Sequence, residues 1–270
     1  MNRRIDPFLA AVLAAVLSCG TLALAVMFSW LGTNVGEGLL FCEALRDSHV
    51  IAPANTWSNL GFVVAGLAIG WQVRKDATVM NGLGTFFAVM VVLLGPASAA
   101  MHATGTTLGK HFDLTSMFLI SSFGTAYALT RWLGKERRFF YAMFFGMLVF
   151  SEGVYLFGPT IPVVLHAGNL MFAIGILITL TLETLLCRRM AEGPRKTAVI
   201  RAAIAAVASL GFAFFVWNLD QNGWCRPYSL IQGHAIWHIF CAVAAYQLFR
   251  LYRASDARVG SSGATITMAP

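Results

Sequence analysis

Eight apolar segments dominate this chain, and each is long enough to cross a lipid bilayer as a helix. Such a helix needs about 20 residues to span roughly 30 Å of hydrocarbon. The chain is 58% apolar and only 11% charged, less than half of the charge typical of a soluble domain. Because a soluble core cannot bury that much apolar surface, we expect an all-α, polytopic membrane protein. The predicted spans are residues 8–31, 56–73, 82–103, 112–133, 139–157, 161–187, 198–218 and 229–250.

The basic residues predict an orientation for these spans. With the N-terminus inside, all but three of the 19 Lys and Arg residues fall on the inner side, as the positive-inside rule describes. The three on the outer side are Arg46, Lys110 and Arg226. The basic charge then faces anionic lipid headgroups, and we expect no nucleic-acid partner because no motif for one is present.

The two ends of the chain differ from its centre. The first segment has roughly 24 apolar residues, more than the 7–15 of a signal-peptide core, so we expect a retained helix or signal anchor within residues 1–39. Residues 40–252 form the predicted main domain, and residues 253–270 are predicted to be a disordered cytoplasmic tail. The Ala-rich, basic composition is typical of bacteria. We therefore expect a protein of the bacterial inner membrane whose outer side faces the periplasm.

Five polar side chains interrupt the apolar segments near the outer surface. Ser98 and His102 are four residues apart and therefore share one face of the third predicted helix. Asp113 opens the fourth helix, which begins outside. His234 and His238 share one face of the last helix by the same spacing. Distant parts of the chain thus bring these groups to the same membrane depth.

This set of side chains predicts a zinc-dependent hydrolase. Three imidazoles with one open position are a usual ligand set of catalytic zinc, so we predict His102, His234 and His238 as ligands. Asp113 would act on the attacking water and Ser98 would donate to the developing oxyanion. The alternative is that these are unrelated interfacial or packing residues. Haem ligation by the two histidines of the last helix is disfavoured, because they lie on one face and cannot bind opposite sides of a ring.

The remaining polar residues of the helices do not join this set. His49 and His111 are expected at the surface beside outer loops. His166 and Asn169 are expected to form interhelical hydrogen bonds. Glu152 is expected to be a helix-packing or pore-lining group.

Two of the five cysteines fall in outer loops. Cys42 and Cys225 could form a disulfide in an oxidising outer compartment, or could remain two unrelated thiols. Cys19, Cys187 and Cys241 fall within or at the inner ends of helices and are expected to be reduced.

Four stretches of the sequence together resemble the alkaline ceramidases of the CREST superfamily of integral-membrane hydrolases. That superfamily also contains the adiponectin and progestin receptors and the Per1-type lipid-remodelling proteins. The resemblance covers roughly residues 40–250 and implies a core of seven transmembrane helices, to which the first helix is an addition. The stretches are FCEALRDSHVIAPANTWSNLGFVVAGL, SAAMHATGTTLGKHFDLTS, WNLDQNGWC and GHAIWH.

The resemblance implies a role for each residue of the polar set. His102, His234 and His238 match the zinc ligands of the family. Asp113 matches the residue that activates water, and Ser98 matches the hydroxyl that stabilises the oxyanion. The family also joins the loops that match Cys42 and Cys225 by a disulfide.

Ceramidases of this type hydrolyse the amide of ceramide to a fatty acid and a sphingoid base. The resemblance therefore implies a zinc-dependent amidohydrolase that acts on a ceramide-like lipid of the surrounding bilayer. Two alternatives stay open. One is a zinc hydrolase or transferase acting on another lipid, such as an ester or a GPI-like substrate. The other is a receptor of the same superfamily without turnover.

The calcium site of the animal ceramidases is not expected here. Glu43 and Asn55 occupy matching positions in the loop before the core, but four other positions have lost their matching residues. Calcium needs oxygen ligands, and the apolar side chains provide none. We expect the loop to be held by the disulfide and by hydrogen bonds of Glu43 or Asp47. The four departures are Leu40, Phe41, Leu45 and Ala52.

Overall fold

The computed structural model describes residues 5–38, 41–76, 79–159 and 167–256. Within these residues the structure is all-α, with nine α-helices, one short 3₁₀ turn at Val79–Gly82 and no strand. The helices are α1 (Pro7–Met27), α2 (Pro53–Ser58), α3 (Leu60–Lys75), α4 (Gly84–Thr104), α5 (Thr107–Trp132), α6 (Arg137–Phe157), α7 (Ala167–Arg188), α8 (Pro194–Gln221) and α9 (Gly233–Asp256).

The eight long helices correspond to the eight predicted spans, and the all-α prediction is confirmed. One boundary matters for function. Helix α5 begins at Thr107 rather than at 112, because the Thr106 hydroxyl caps it by accepting a hydrogen bond of 3.0 Å from the Gly109 N–H. Asp113 therefore lies in the second turn of α5, and the prediction that it opens this helix was wrong.

Both ends of α9 also differ from the predicted span. Helix α9 begins at Gly233, four residues after the predicted start, and continues to Asp256. The tail was predicted to begin at residue 253, but residues 253–256 are helical, so this boundary was wrong. The rest of the predicted tail and the predicted start of the sixth span lie outside the described residues.

Five helices of the described residues are long and apolar enough to cross a membrane, which indicates a membrane protein. They are α1, α4, α6, α7 and α8. Helix α3 has only 16 residues, and α5 and α9 carry more polar side chains. A core of seven spans therefore remains a prediction.

Helix α4 lies at the centre of the bundle and packs against α1, α2, α3 and α5. Fully buried aromatic rings from three helices fill the core at the end away from the polar residues, with Phe87 of α4 lying 4.6 Å from Phe123 of α5 and 6.1 Å from Tyr252 of α9. Tilted and edge-to-face ring pairs at these distances are favourable. They hold α4, α5 and α9 together beneath the end of the bundle where the polar residues lie.

Small residues allow the central helices to approach closely, as is typical of membrane bundles. A Cβ on Gly109 of α5 would lie 2.7 Å from the carbonyl oxygen of Ala100 in α4. Gly105 has a φ of 64° and ends α4 in a left-handed turn, a conformation that favours glycine. These two glycines bring the start of α5 against the last turns of α4.

Helix α1 packs on the core instead of standing apart from it. Ala11 and Ala15 are buried against Val63 of α3 and Val92 of α4. Asp6, which caps α1, also forms an ion pair of 2.9 Å with Arg74 at the end of α3. The additional helix is therefore part of the bundle.

A charged network ties the helices together at the end opposite to the predicted site. The Arg131 guanidinium pairs with Glu183 of α7 and lies 4.6 Å from the ring centroid of Tyr127. The Tyr127 hydroxyl donates to Asp256 at the end of α9 over 2.6 Å. Arg131 and Glu183 are both largely buried. Removing either one would therefore leave the charge of the other unpaired.

Candidate metal centre

Three histidines from two helices meet at one end of the bundle. His102 lies in the last turn of α4, and His234 and His238 lie in the first two turns of α9. The Nε2 atoms of His102 and His234 are 3.3 Å apart. Across all three side chains, one nitrogen of each ring lies within 4.8 Å of the other two. The structure thus brings together the three residues predicted to be ligands.

The donor set and its spacing fit a divalent transition metal. Tetrahedral zinc with bonds of 2.0–2.1 Å separates its ligand nitrogens by about 3.3 Å, which the Nε2 pair matches. The three histidines are buried, with exposures of 2%, 7% and 3% in sequence order. Within the described residues the Nδ1 atoms of His102 and His234 have no hydrogen-bond partner. The Nε2 atoms of these two rings instead face each other at 3.3 Å, an arrangement that a shared cation can satisfy.

The orientation of His238 is set by the junction of α2 and α3. Its Nδ1 atom lies 2.8 Å from the Ser58 hydroxyl and 3.2 Å from the Asn59 side-chain amide. The Ser58 hydroxyl donates to the Asn55 carbonyl over 3.0 Å and can accept a hydrogen bond from Nδ1. The Asn55 carbonyl is a second acceptor for an Nδ1–H group, and the Asn59 amide nitrogen, which can only donate, already donates to that carbonyl over 2.8 Å. The two acceptors favour the tautomer whose Nε2 is unprotonated and free to bind a metal.

Two buried carboxylates hold the helices that carry this arrangement. Glu43 accepts hydrogen bonds of 2.8 Å from the backbone N–H groups of Ala54 and Asn55 at the start of α2. Asp220 accepts a hydrogen bond of 2.9 Å from the Gly233 N–H at the start of α9. Carboxylates are favourable at helix N-termini, where backbone donors lack partners. Glu43 thus fixes α2, and Asp220 fixes the helix that bears two of the histidines.

A disulfide joins the loop before α2 to the loop before α9, because Cys42 and Cys225 are bonded. The predicted disulfide is confirmed. The other three cysteines, Cys19, Cys187 and Cys241, are free thiols, as expected. The disulfide connects the two segments whose carboxylates order α2 and α9, so the covalent link and the two helix caps act on the same region.

Ser98 and Asp113 form a pair beside the histidines. Ser98 is buried in α4, one turn before His102. Its hydroxyl donates a hydrogen bond to the half-buried Asp113 carboxylate of α5. The close contact at Gly109 makes this pairing possible because it draws the two helices together. All five predicted site residues therefore lie at the same end of the bundle.

The other polar residues lie outside this arrangement. Glu152 of α6 accepts a hydrogen bond of 2.6 Å from Thr115 and pairs with His111 of α5 at 3.2 Å. Glu152 thus has a helix-packing role, as predicted, while His111 is partly exposed and not simply a surface residue. His49 is exposed, as predicted. His166 falls outside the described residues.

The loop does not offer the side chains that the family's calcium site uses. Both carboxylate oxygens of Glu43 are engaged by the start of α2. The apolar side chains of Phe41, Leu45 and Ala52 supply no oxygen, whereas calcium is bound by six to eight of them. These residues do not fit a calcium ion, and we assign it no role.

The model of the ceramidase family matches residues 39–264 of the chain. The chain belongs to the ceramidase family. The matched region begins in the loop before α2 and includes the three histidines, Ser98 and Asp113. No individually curated protein matches the chain. Membership of the ceramidase family implies a hydrolase and suggests hydrolysis of a lipid amide, and the five apolar helices suggest that the chain lies in a membrane.

Sequence reasoning did not assign roles to several residues of this ceramidase-family site. Ser58 and Asn59 lie in a polar run that interrupts the second predicted span, and this interruption was the available signal. Asp220 lies in a conspicuous polar stretch, WNLDQNGWC, that borders the loop before the last helix. Their partners are up to 180 residues away in sequence, so no local spacing could have identified them.

Proposed function

We propose that this protein is a zinc-dependent hydrolase that cleaves a ceramide-like lipid amide into a fatty acid and an amine-bearing lipid base. The observation that carries the proposal is the buried histidine cluster beside the Ser98–Asp113 pair in a chain of the ceramidase family. An acyl amide is the bond that this family name implies. The three nitrogen donors suit zinc better than calcium or magnesium, which prefer oxygen.

His102, His234 and His238 would hold the zinc ion. When bound, zinc would polarise the substrate carbonyl and lower the pKa of a water molecule towards 7. Ser58 would keep the His238 ring in its metal-binding orientation through the hydrogen bond at Nδ1. Because such supporting contacts fix the ring and its tautomer, they contribute to metal affinity.

Asp113 would act as the general base and then as the general acid. Its carboxylate would accept a proton from the attacking water as the bond between the water oxygen and the amide carbon forms. It would then deliver that proton to the leaving nitrogen as the carbon–nitrogen bond breaks. The contact of Asp113 with Ser98 in the turn before His102 places its carboxylate at the histidine end of the bundle, which supports its role in both proton transfers.

Ser98 would stabilise the charge that develops during attack. Its hydroxyl donates to Asp113 in the resting structure and could donate instead to the substrate carbonyl oxygen as that oxygen gains negative charge. A hydrogen-bond donor preorganised in a buried site can contribute about 10²–10³-fold to the rate.

We further propose the predicted topology, with seven core spans, an additional first helix and the site facing the periplasm of a bacterial inner membrane. The site lies at one end of the bundle, where α4 ends and α5 and α9 begin. At the other end Arg131 and Arg195 both contact Ser255, and Arg189 lies over Trp132. This distribution of basic groups supports cytoplasmic termini. Residues 1–39 remain the proposed N-terminal anchor, and the proposed hydrolase domain from residue 40 extends to the end of α9 at Asp256.

The function is tested with purified protein in detergent, by measuring its zinc content and the release of fatty acid from ceramide. We expect one zinc ion per chain and release of the fatty acid. Release from lipid esters but not from any acyl amide would favour a hydrolase or transferase for another lipid. Bound zinc without hydrolysis of either class would favour the receptor interpretation.

A further inference from the structure

Within the described residues, one aromatic side chain packs against the histidine cluster, that of Phe41 in the loop before α2. Phe41 lies parallel to the His234 imidazole, with 3.9 Å between the ring centroids and 26° between the planes. The same ring meets the edge of His102 at 5.3 Å. One side chain from the loop before α2 thus contacts two of the three rings.

We infer that Phe41 is a shielding residue of the metal centre, which keeps the outer aqueous phase away from the histidine nitrogens. This inference rests on the proposed function only in taking the three histidines as the metal site. Phe41 itself has no polar side-chain atom and is not a ligand. Its role is to position and cover the imidazoles that are.

The backbone that carries Phe41 is anchored at several successive residues. Cys42 is bonded to Cys225, and Glu43 binds the start of α2. The Ala44 N–H donates to the Pro227 carbonyl over 2.8 Å. These contacts connect the loop to two separate parts of the bundle, so the ring is held over the cluster by a fixed backbone.

A further anchor follows directly. The Arg46 guanidinium lies 4.9 Å from the ring centroid of Tyr228 and donates to the Tyr228 carbonyl over 3.1 Å. The loop before α9 is thereby bound to the loop before α2 at two further points, both just after the disulfide in each loop. A mobile cover would not need this many attachments. The contacts therefore support a permanent shield rather than a gate that opens in each turnover.

The shield has a chemical consequence. Metal loss to a chelator requires that the chelator reach the coordination sphere, and Phe41 obstructs the approach from the loop side. On the α5 side, Asp113 is less deeply buried than the three histidines. Water-soluble reagents should therefore react slowly with the cluster, although a lipid amide can still approach past α5.

The first experiment measures the rate at which the zinc-loaded protein loses zinc to EDTA. We expect Phe41→Ala to lose zinc about 10- to 100-fold faster than the wild type, as for the loss of a residue that supports metal ligands. Phe41→Tyr keeps the ring and should lose zinc at a rate close to that of the wild type. A wild-type rate in Phe41→Ala would overturn the inference.

A matched control separates this effect from the general loss of an aromatic residue. Phe28 is an exposed aromatic residue just after α1 and stacks on Trp30 at 5.9 Å. Phe28→Ala should leave the rate of zinc loss unchanged. If Phe28→Ala accelerates the loss as much as Phe41→Ala does, the shield is not specific to Phe41 and the inference fails.

The second experiment does not depend on metal or on hydrolysis. Metal-free protein is treated with diethyl pyrocarbonate, and the modification of each histidine is quantified by mass spectrometry against the exposed His49. In the wild type we expect His234 to react much more slowly than His49, and in Phe41→Ala we expect its reaction to accelerate. Equal His234 labelling in the two proteins would overturn the shield.

The two experiments distinguish the inference from the proposed function. If the wild type binds no zinc, the proposed function fails, while the labelling of His234 still decides whether Phe41 covers the ring. If Phe41→Ala does not fold, as shown by aggregation in gel filtration, Phe41→Leu replaces it in both experiments. Leucine keeps an apolar side chain but cannot stack, and its faster zinc loss and His234 labelling would support the shield.

Discussion

Asp113 and Ser58 illustrate how single side chains divide the work of the proposed site. Asp113 contacts Ser98 and acts on the attacking water in the proposed mechanism, whereas Ser58 contacts His238 and would act through it. One residue should therefore affect turnover and the other metal affinity. Substituting Asp113 and Ser58 in turn therefore tests turnover and metal binding separately.

Asp113→Asn should retain zinc and lose most of its turnover. The amide is similar in size and can accept a hydrogen bond from Ser98, but it cannot take a proton from water. We expect a decrease in kcat of about 10²–10⁴-fold, the range typical of general acid–base catalysis. Zinc content and fatty-acid release measured on the same sample check this, and loss of zinc would show instead that the carboxylate is a ligand.

Ser58→Ala should weaken zinc binding without removing any ligand. The Nδ1 atom of His238 would lose its partner at 2.8 Å, and we expect about 10- to 100-fold lower affinity. Competition with a zinc-selective fluorescent chelator measures the change. Ser48→Ala, in an exposed part of the outer loop, serves as the control, and equal affinities of the two variants would refute the role of Ser58.

At the scale of helices, the site depends on how closely α4 and α5 pack. The contact between Gly109 and Ala100 draws Asp113 towards Ser98. Gly146 in α6 is also helical, but no atom lies within 4 Å of the position that its Cβ would take. The two glycines thus form a natural pair for testing this packing.

Gly109→Ala should destabilise the bundle and reduce activity, since its Cβ would lie 2.7 Å from a backbone oxygen. Forcing a methyl group into a packed interface costs about 1–3 kcal/mol. Gly146→Ala should be neutral or slightly stabilising, because alanine is the better helix former. Thermal unfolding in detergent compares the two, and equal stabilities would contradict the proposed role of the contact.

The helices also show what the sequence could and could not predict. Long apolar runs were sufficient for the eight helices, and the spacing within α4 and α9 was sufficient to place Ser98, His102, His234 and His238 on common faces. The start of α5 was missed because Thr106 caps the helix ahead of its apolar run. The ring of Phe41 over His234 was missed because stacking between a loop and a distant helix leaves no periodic pattern.

In the proposed topology of the whole molecule, the site and the basic groups lie on opposite sides of a membrane. Thr107 at the start of α5 and Lys135 after its end are both exposed. These positions mark the two ends of one helix. They can therefore report on the orientation of the bundle within intact cells.

Thr107→Cys should react with a membrane-impermeant maleimide added to intact cells, and Lys135→Cys should react only after the cells are lysed. The positive-inside distribution is the reason for this expectation. The partly buried native thiols Cys19, Cys187 and Cys241 set the background, which is measured with the wild type. Labelling of Lys135→Cys alone in intact cells would reverse the orientation and the compartment of the site.

The proposed function depends on a zinc ion that His102, His234 and His238 hold together. Zinc K-edge X-ray absorption of the purified protein tests it most directly, with His234→Ala prepared in parallel. We predict one zinc per chain in the wild type, nitrogen or oxygen ligands at about 2.0–2.1 Å with outer-shell scattering from imidazole rings, and loss of stoichiometric zinc in His234→Ala. Zinc bound through sulfur, or an unchanged spectrum and zinc content in His234→Ala, would contradict the account.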